Sequence, residues 1–356
     1  PQRQGRDTRS GMKAAVLKAF GSPLVIEEVD DPRPGPDEVL IKVMACGIDG
    51  TDLKLLGGFG YTPELPFIMG HEPAGLVESV GEQVRAFAPG DRVIPYIFLV
   101  SPENPWYQAE REQLCPDMRG VLGVKGCSGG YAGKLLLPAH QLISIPAGIA
   151  WHDAAVHCDA GLTAYHALHR ARLGLGDTVL VIGVGGVGSF AVQFASLAGA
   201  RVIAVERTAA KRDWARKLGA AETILSADAG STDVGPAARA LTRQRGVDCV
   251  LDLVGTRETI AAGLDSVCTG GRIVVVGYTA DSFVLSGKTL AQNELEVIGS
   301  RAGSRWELRA ALALTAAGRI HSIVTDRLPL ERVNEALARL ARGQVLGRLV
   351  LDMAAD

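Results

Sequence analysis

Two short segments concentrate groups suited to metal chemistry: Gly47-Ile48-Asp49-Gly50-Thr51-Asp52 and, further on, Gly70-His71-Glu72-Pro73-Ala74-Gly75. Carboxylates and one imidazole can hold a divalent ion with a position left open, so the pair reads as half of a metal site. A third segment, Val181-Ile182-Gly183-Val184-Gly185-Gly186-Val187-Gly188, is of another kind. Its glycines permit a tight turn and let the backbone approach a pyrophosphate. The phosphates then meet the N–H groups and the positive end of the helix that follows. A metal half-site and a dinucleotide turn in one chain point to redox chemistry.

The glycine turn gains weight from its surroundings. It follows an apolar strand, opens an amphipathic helix, and is answered by Glu206 at the end of the next strand. A carboxylate there accepts hydrogen bonds from adenosine ribose hydroxyls and repels a 2′-phosphate, so NAD is expected over NADP. Arg207, the next residue, tempers that preference. The cofactor-binding set is therefore Gly183, Gly185, Gly186, Val187, Gly188, Glu206 and Arg207. A purely structural turn followed by a surface glutamate is the competing reading.

These groups need a frame to hold them. At 356 residues the chain is long for one core, and two domains are the default. With 37 basic and 39 acidic side chains the formal charge is −2, which offers no electrostatic argument for nucleic acid or an anionic membrane. No apolar stretch reaches membrane-spanning length and no secretory signal stands near the start, so a cytoplasmic enzyme is expected. Six scattered cysteines then read as reduced thiols, with Cys249 and Cys268 as core filler.

Residues 1–11 are polar and basic and read as a tail. From 12 to about 160 short strands alternate with Gly and Pro turns, at 13–17, 38–44, 74–80, 92–95 and 134–138, as in a small antiparallel β domain. After residue 160 the pattern changes. Apolar strands at 179–183, 201–205, 223–225, 249–254, 272–277 and 295–299 are separated by helical stretches such as 187–197 and 209–218. That alternation predicts a doubly wound parallel sheet over 161–300. In residues 301–356, a helix at 306–317, a strand near 325–328, a helix at 333–342 and a last strand at 348–352 return to the first domain.

These motifs resemble the medium-chain dehydrogenase/reductase family, and the zinc-dependent alcohol dehydrogenases in particular. The resemblance runs over residues 12–356. It includes Gly129-Gly130-Tyr131-Ala132, Pro89-Gly90-Asp91-Arg92-Val93, Asp159-Ala160-Gly161-Leu162-Thr163-Ala164-Tyr165 and Gly347-Arg348-Leu349-Val350-Leu351, in order and at matching spacing. It implies an α/β architecture: a GroES-like β-rich catalytic domain plus a Rossmann doubly wound parallel sheet, with the active site in the cleft between them. It also implies a homodimer or homotetramer acting on a small alcohol or carbonyl compound.

The resemblance further implies a catalytic zinc. Its first ligand position, usually Cys, maps to Asp49; its second to His71; its third to Asp159, with Glu72 as ligand or outer partner. The aspartate at 49 is a departure, shared with some sugar-oxidising members. Oxygen donors are harder than thiolate, and other divalent ions can compete for such a site. Asp52 is expected either to orient His71 or to cap a helix at 53–56. The second, structural zinc of many members would need four thiols at 101, 104, 107 and 115. Here those are Ser101, Asn104, Tyr107 and Cys115, so no structural zinc is expected and packing through Trp106 and Tyr107 must hold that lobe.

The implied reaction is reversible hydride transfer between a carbinol carbon and nicotinamide, with Thr51 taking the alcohol proton and Lys54 standing where some members keep a relay histidine. The plainer reading of Thr51 is a helix N-cap. His152, His166 and His169 read as surface residues, and His157 becomes a ligand only if the register slips. Two alternatives compete: a metal-free quinone or enoyl reductase of the same superfamily, and a catalytically silent nucleotide-binding protein.

Overall fold

The computed structural model describes residues 11–226 and 233–353. The chain divides into two units. The first holds residues up to Cys158, then Asp326–Gln344 and the segment from Leu349; the second holds Asp159–Thr325 and Val345–Arg348. The C-terminal stretch is thus shared. Helix Arg305–Ala316 belongs to the second unit, and helix Val333–Ala341 to the first.

The first unit is built around the 11-residue strand Glu38–Ile48. One edge pairs antiparallel with Glu72–Val80. Its other edge takes two partners in succession, Lys134–Pro138 at residues 38–42 and Arg348–Asp352 at residues 45–48. Strands Arg92–Pro95, Leu142–Ser144 and Val324–Pro329 complete a seven-stranded sheet. A separate three-stranded sheet sets Gly11–Leu17 between Val25–Asp30 and Phe67–Ile68. Its first strand starts at Gly11, one residue inside the expected tail; residues 1–10 lie outside the described residues.

A third small sheet, of Phe98–Leu99, Gly120–Leu122 and Gly126–Cys127, belongs to the lobe where a structural zinc would sit. Asn104 Oδ1 caps the short helix Pro105–Gln108 through the Trp106 N–H at 2.9 Å. The Tyr107 ring meets His140 edge-on, Arg111 lies over Trp106, Ser101 bonds Glu103, and Cys115 is buried. Each expected position is therefore engaged in local packing or capping.

The second unit carries a six-stranded, all-parallel sheet in the order Glu222–Leu225, Arg201–Glu206, Thr178–Ile182, Val247–Asp252, Val267–Val275, Glu296–Gly299. In order along the chain the strands lie 3-2-1-4-5-6, the doubly wound arrangement. Thr178–Ile182 is buried along its whole length, as a central strand covered on both faces must be. Among the described residues, no helix is long and apolar enough to cross a membrane.

Candidate metal centre and dinucleotide turn

Register brings the first two motifs together. Gly47 pairs with Glu72 across the antiparallel ladder, so the end of one strand meets the start of the other, and Asp49 and His71 sit just beyond that pair. Asp49 then caps the helix Gly50–Leu56. With φ −143° and ψ −174° it has the extended backbone of an N-cap, and its Oδ1 accepts the N–H of Thr51 at 2.8 Å and of Asp52 at 3.2 Å. Asp52 completes a capping box, its Oδ2 accepting the Asp49 N–H at 2.9 Å. Thr51 is therefore not the cap; it stands inside the first turn, half-buried.

With Oδ1 committed to the cap, Asp49 Oδ2 faces the imidazole, 3.6 Å from His71 Nε2. Asp52 Oδ1 lies on the other side of the ring, 3.7 Å from Nδ1. Asp52 thus lies beside the imidazole and also serves as the third helical residue of the capping box. It is not the cap expected for a helix at 53–56, because the helix already starts at Gly50 with Asp49 as its cap. One ligand atom each from Asp49, Asp52 and His71 falls within 4.8 Å of the others, and all three residues are buried. Because Asp49 and Asp52 occupy opposite ends of the imidazole, we read Asp49 with Nε2 as the ion-holding pair and Asp52 as its outer partner.

This donor set fits a divalent ion. Ligand atoms around tetrahedral zinc sit about 3.3 Å apart, given bonds of about 2.0–2.1 Å, close to the observed 3.6 Å. Glu72 is also fully buried, and its carboxylate fills the space a side chain at Gly47 would need, where a Cβ would meet Oε2 at 2.0 Å. Burial raises the Cys46 thiol well above its ordinary value; Asp52 and Glu72 add to this and His71 opposes it. Buried carboxylates cost several kcal/mol each unless compensated, and a cation is a natural compensation.

Tyr131 is the residue that sequence reasoning missed. It is fully buried and its hydroxyl donates to Asp52 Oδ2 at 2.8 Å. Burial first, and then Asp52, push that hydroxyl well above the usual tyrosine range, so it stays a donor.

Asp159 belongs to the second unit, in the π-helical turn His157–Gly161, a feature often found at functional positions. Its Oδ1 accepts from Thr163 Oγ1 at 3.1 Å and its Oδ2 lies 3.7 Å from Arg348 Nη2. His157 is fully buried, and burial lowers it to about 3, keeping the ring neutral.

The glycine turn joins strand Thr178–Ile182 to helix Gly186–Leu197. Gly183 has φ +89°, a conformation that favours glycine, and Gly185 precedes helix Gly186–Leu197, which no side chain caps. A Cβ on Gly188 would strike the Gly183 carbonyl oxygen at 2.1 Å, so that glycine permits the helix to pack on the turn. Val187 lies in the first helical turn. Glu206 is buried; one carboxylate oxygen accepts the Val184 N–H and the other the Arg207 N–H, tying the acid to the glycine loop. The Arg207 side chain is exposed. Arg348 lies against Gly186, where a Cβ would meet its guanidinium at 2.7 Å. Its only sequence signal was membership of the terminal Gly-Arg motif.

Comparison with known proteins agrees with this fold. Residues 35–147 match the alcohol dehydrogenase GroES-like domain and residues 186–317 the zinc-binding dehydrogenase family. The NAD-dependent alcohol dehydrogenase of Sulfolobus acidocaldarius is 32% identical over 96% of this chain and 100% of its own. The acryloyl-coenzyme A reductase of Metallosphaera sedula is 31% identical over 96% of this chain and 99% of its own. Among solved structures, the alcohol dehydrogenase of Aeropyrum pernix is 32% identical with a TM-score of 0.89, covering 96% of this chain and 99% of that one.

Proposed function

The chain belongs to the medium-chain dehydrogenase/reductase family, in its zinc-dependent alcohol dehydrogenase branch, and from that premise we propose that it is an NAD(H)-dependent alcohol or polyol dehydrogenase, reducing the carbonyl in reverse. The observation that carries the reading is Asp49 Oδ2 beside His71 Nε2 at the meeting point of two paired strands. Asp49 and His71 would hold a divalent ion, zinc by family precedent, with Glu72 as a further ligand or outer partner.

When bound, the ion supplies Lewis-acid polarisation of the substrate oxygen and nicotinamide supplies the hydride chemistry. Thr51 receives the alcohol proton at its hydroxyl, and Lys54 on the same helix offers the exit. Asp52 orients His71. On the coenzyme side, the uncapped N–H groups of helix Gly186–Leu197 and the Arg348 guanidinium suit a pyrophosphate, and Glu206 suits ribose hydroxyls while repelling a 2′-phosphate. NAD is therefore preferred over NADP. A cytoplasmic location and a homodimer or homotetramer belong to the same reading; Tyr278, Phe283 and Val284, large apolar side chains exposed in one segment, support self-association.

The test is metal content by mass spectrometry on protein purified without chelator, together with NADH turnover over a panel of alcohols, polyols and carbonyl compounds. About one zinc per chain, lost with activity in Asp49→Ala, supports the reading. A second reading, reduction of an activated double bond without metal, is favoured by the acryloyl-coenzyme A reductase relative. Metal-free protein that oxidises NADH with a 2-enoyl thioester would replace the first reading by it. Nucleotide binding without any turnover would leave a silent binding protein.

A further inference from the structure

Three contacts around Asp52 define an ordered chain of polar groups. The Tyr131 hydroxyl and the Asp49 N–H both donate to Asp52 Oδ2, at 2.8 and 2.9 Å. That leaves Oδ1 as the oxygen turned to His71 Nδ1, at 3.7 Å an electrostatic contact and not a formed hydrogen bond. The opposite ring nitrogen, Nε2, faces Asp49. A neutral imidazole has one N–H and one lone pair, and an acceptor beside either nitrogen favours the proton there. Asp52 and Asp49 therefore compete for it, and the hold on Asp52 shifts the balance to Nδ1.

The tyrosine is fixed to the segment that carries the imidazole. Its backbone N–H donates to the Met69 carbonyl at 2.9 Å, and the Gly130 N–H to the Gly70 carbonyl at 2.7 Å. Gly70, directly before His71, has φ +97°, and a Cβ there would lie 2.4 Å from the Tyr131 ring. Ring and imidazole therefore share one rigid scaffold. A phenylalanine would fill the same volume, so what the hydroxyl adds is polar: a buried phenol needs a partner, and here the partner is the carboxylate facing His71.

We propose that Tyr131 is a positioning residue of the metal centre: by holding Asp52 Oδ2 it keeps Oδ1 toward His71, so the imidazole carries its proton on Nδ1 and offers the Nε2 lone pair on the Asp49 side. This rests on the metal reading above and deepens it.

The test uses Tyr131→Phe, Asp52→Asn and the double variant, with two readouts. One is zinc affinity by competition with a chromophoric chelator. The other is the His71 tautomer in zinc-free protein, from 15N shifts of histidine-labelled protein assigned with His71→Gln. In Asp52→Asn the amide oxygen is claimed by the two donors, so the NH2 group faces Nδ1 and drives the proton to Nε2. Tyr131→Phe should weaken zinc binding about tenfold, the low end for an outer partner, and raise the Nε2–H fraction. The double variant should be no worse than Asp52→Asn, because Tyr131 acts through it. Unchanged affinity and tautomer in Tyr131→Phe, or losses that simply add, would overturn the proposal. If Tyr131→Phe does not fold, an unchanged tautomer in Asp52→Asn overturns it and the proton moving to Nε2 sustains it. Wild-type protein that takes up no zinc removes the metal reading alone; the tautomer in Tyr131→Phe then decides, a shift sustaining the positioning role and no shift ending it.

Discussion

Asp49 divides its carboxylate: Oδ1 caps the helix Gly50–Leu56 while Oδ2 stands 3.6 Å from His71 Nε2. Substitution can separate the two tasks. Asparagine caps a helix as well as aspartate does, whereas alanine costs about 1 kcal/mol. In chelator-treated protein, Asp49→Asn should therefore melt within about 0.5 kcal/mol of wild type and Asp49→Ala about 1 kcal/mol below it. Both should lose bound metal and turnover. Thermal unfolding and metal analysis on the same samples check this, and full metal occupancy in Asp49→Asn would show that the carboxylate is no ligand.

The coenzyme turn can be tested without touching the metal. A methyl group at Gly188 would lie 2.1 Å from the Gly183 carbonyl oxygen, so the loop must open to admit it. Gly188→Ala should weaken NADH binding by at least about tenfold, ~1.4 kcal/mol, with zinc content unchanged. Fluorescence titration with NADH measures the first and metal analysis the second. Unaltered NADH affinity would mean the turn is not a coenzyme site.

Glu206 is tied to that loop through the Val184 N–H. On the proposed reading its charge disfavours a 2′-phosphate, and Gln keeps the acceptor while removing the charge. Glu206→Gln should lower the NAD-to-NADP ratio of kcat/KM by about tenfold or more, ~1.4 kcal/mol, chiefly by admitting NADP beside Arg207. Steady-state kinetics with both coenzymes decide it. A wild-type preference for NADP would refute the specificity argument outright.

What could be read in the sequence was whatever lay close together along the chain. Asp49, Thr51 and Asp52 occupy one hexapeptide and His71-Glu72 another, and the glycine turn announces both its strand and its helix. The strand pairing that joins the two metal motifs follows from antiparallel register, which alternation only suggests. Thr51 and Asp52 are each open to reading as the cap, because a hydroxyl or a carboxylate before a helix suits that task. The cap fell to Asp49 because the strand ends at Ile48 and the helix has already begun at Gly50. Tyr131 was legible only as part of the Gly129-Gly130-Tyr131-Ala132 motif, because its hydroxyl meets a carboxylate 79 residues away. The interleaving of residues 326–348 between the two units is likewise a matter of long-range contact that local patterns do not encode.

Acid should expose a second carboxylate, Glu307, far in function from the metal motifs. It caps its own helix by accepting the Ser304 N–H at 2.7 Å, and takes His166 Nδ1 and His169 Nδ1 at 2.9 Å. Burial raises its carboxyl, but the hydrogen bonds from His166, from Ser304 and from His169 outweigh burial and hold it at about 2, against an ordinary 4.5. A carboxyl depressed by folding stabilises the native state above its unfolded value and loses that stabilisation as pH falls from 4.5 through 2. Complete loss would amount to roughly 3 kcal/mol. Glu307→Gln should therefore melt well below wild type at pH 7, and the gap should narrow as the pH is lowered below about 4.5. Melting temperatures of both proteins at pH 7, 5, 4 and 3.5 follow the gap. A gap that stays constant across that range would mean Glu307 acts through packing and capping alone, with no charge in play.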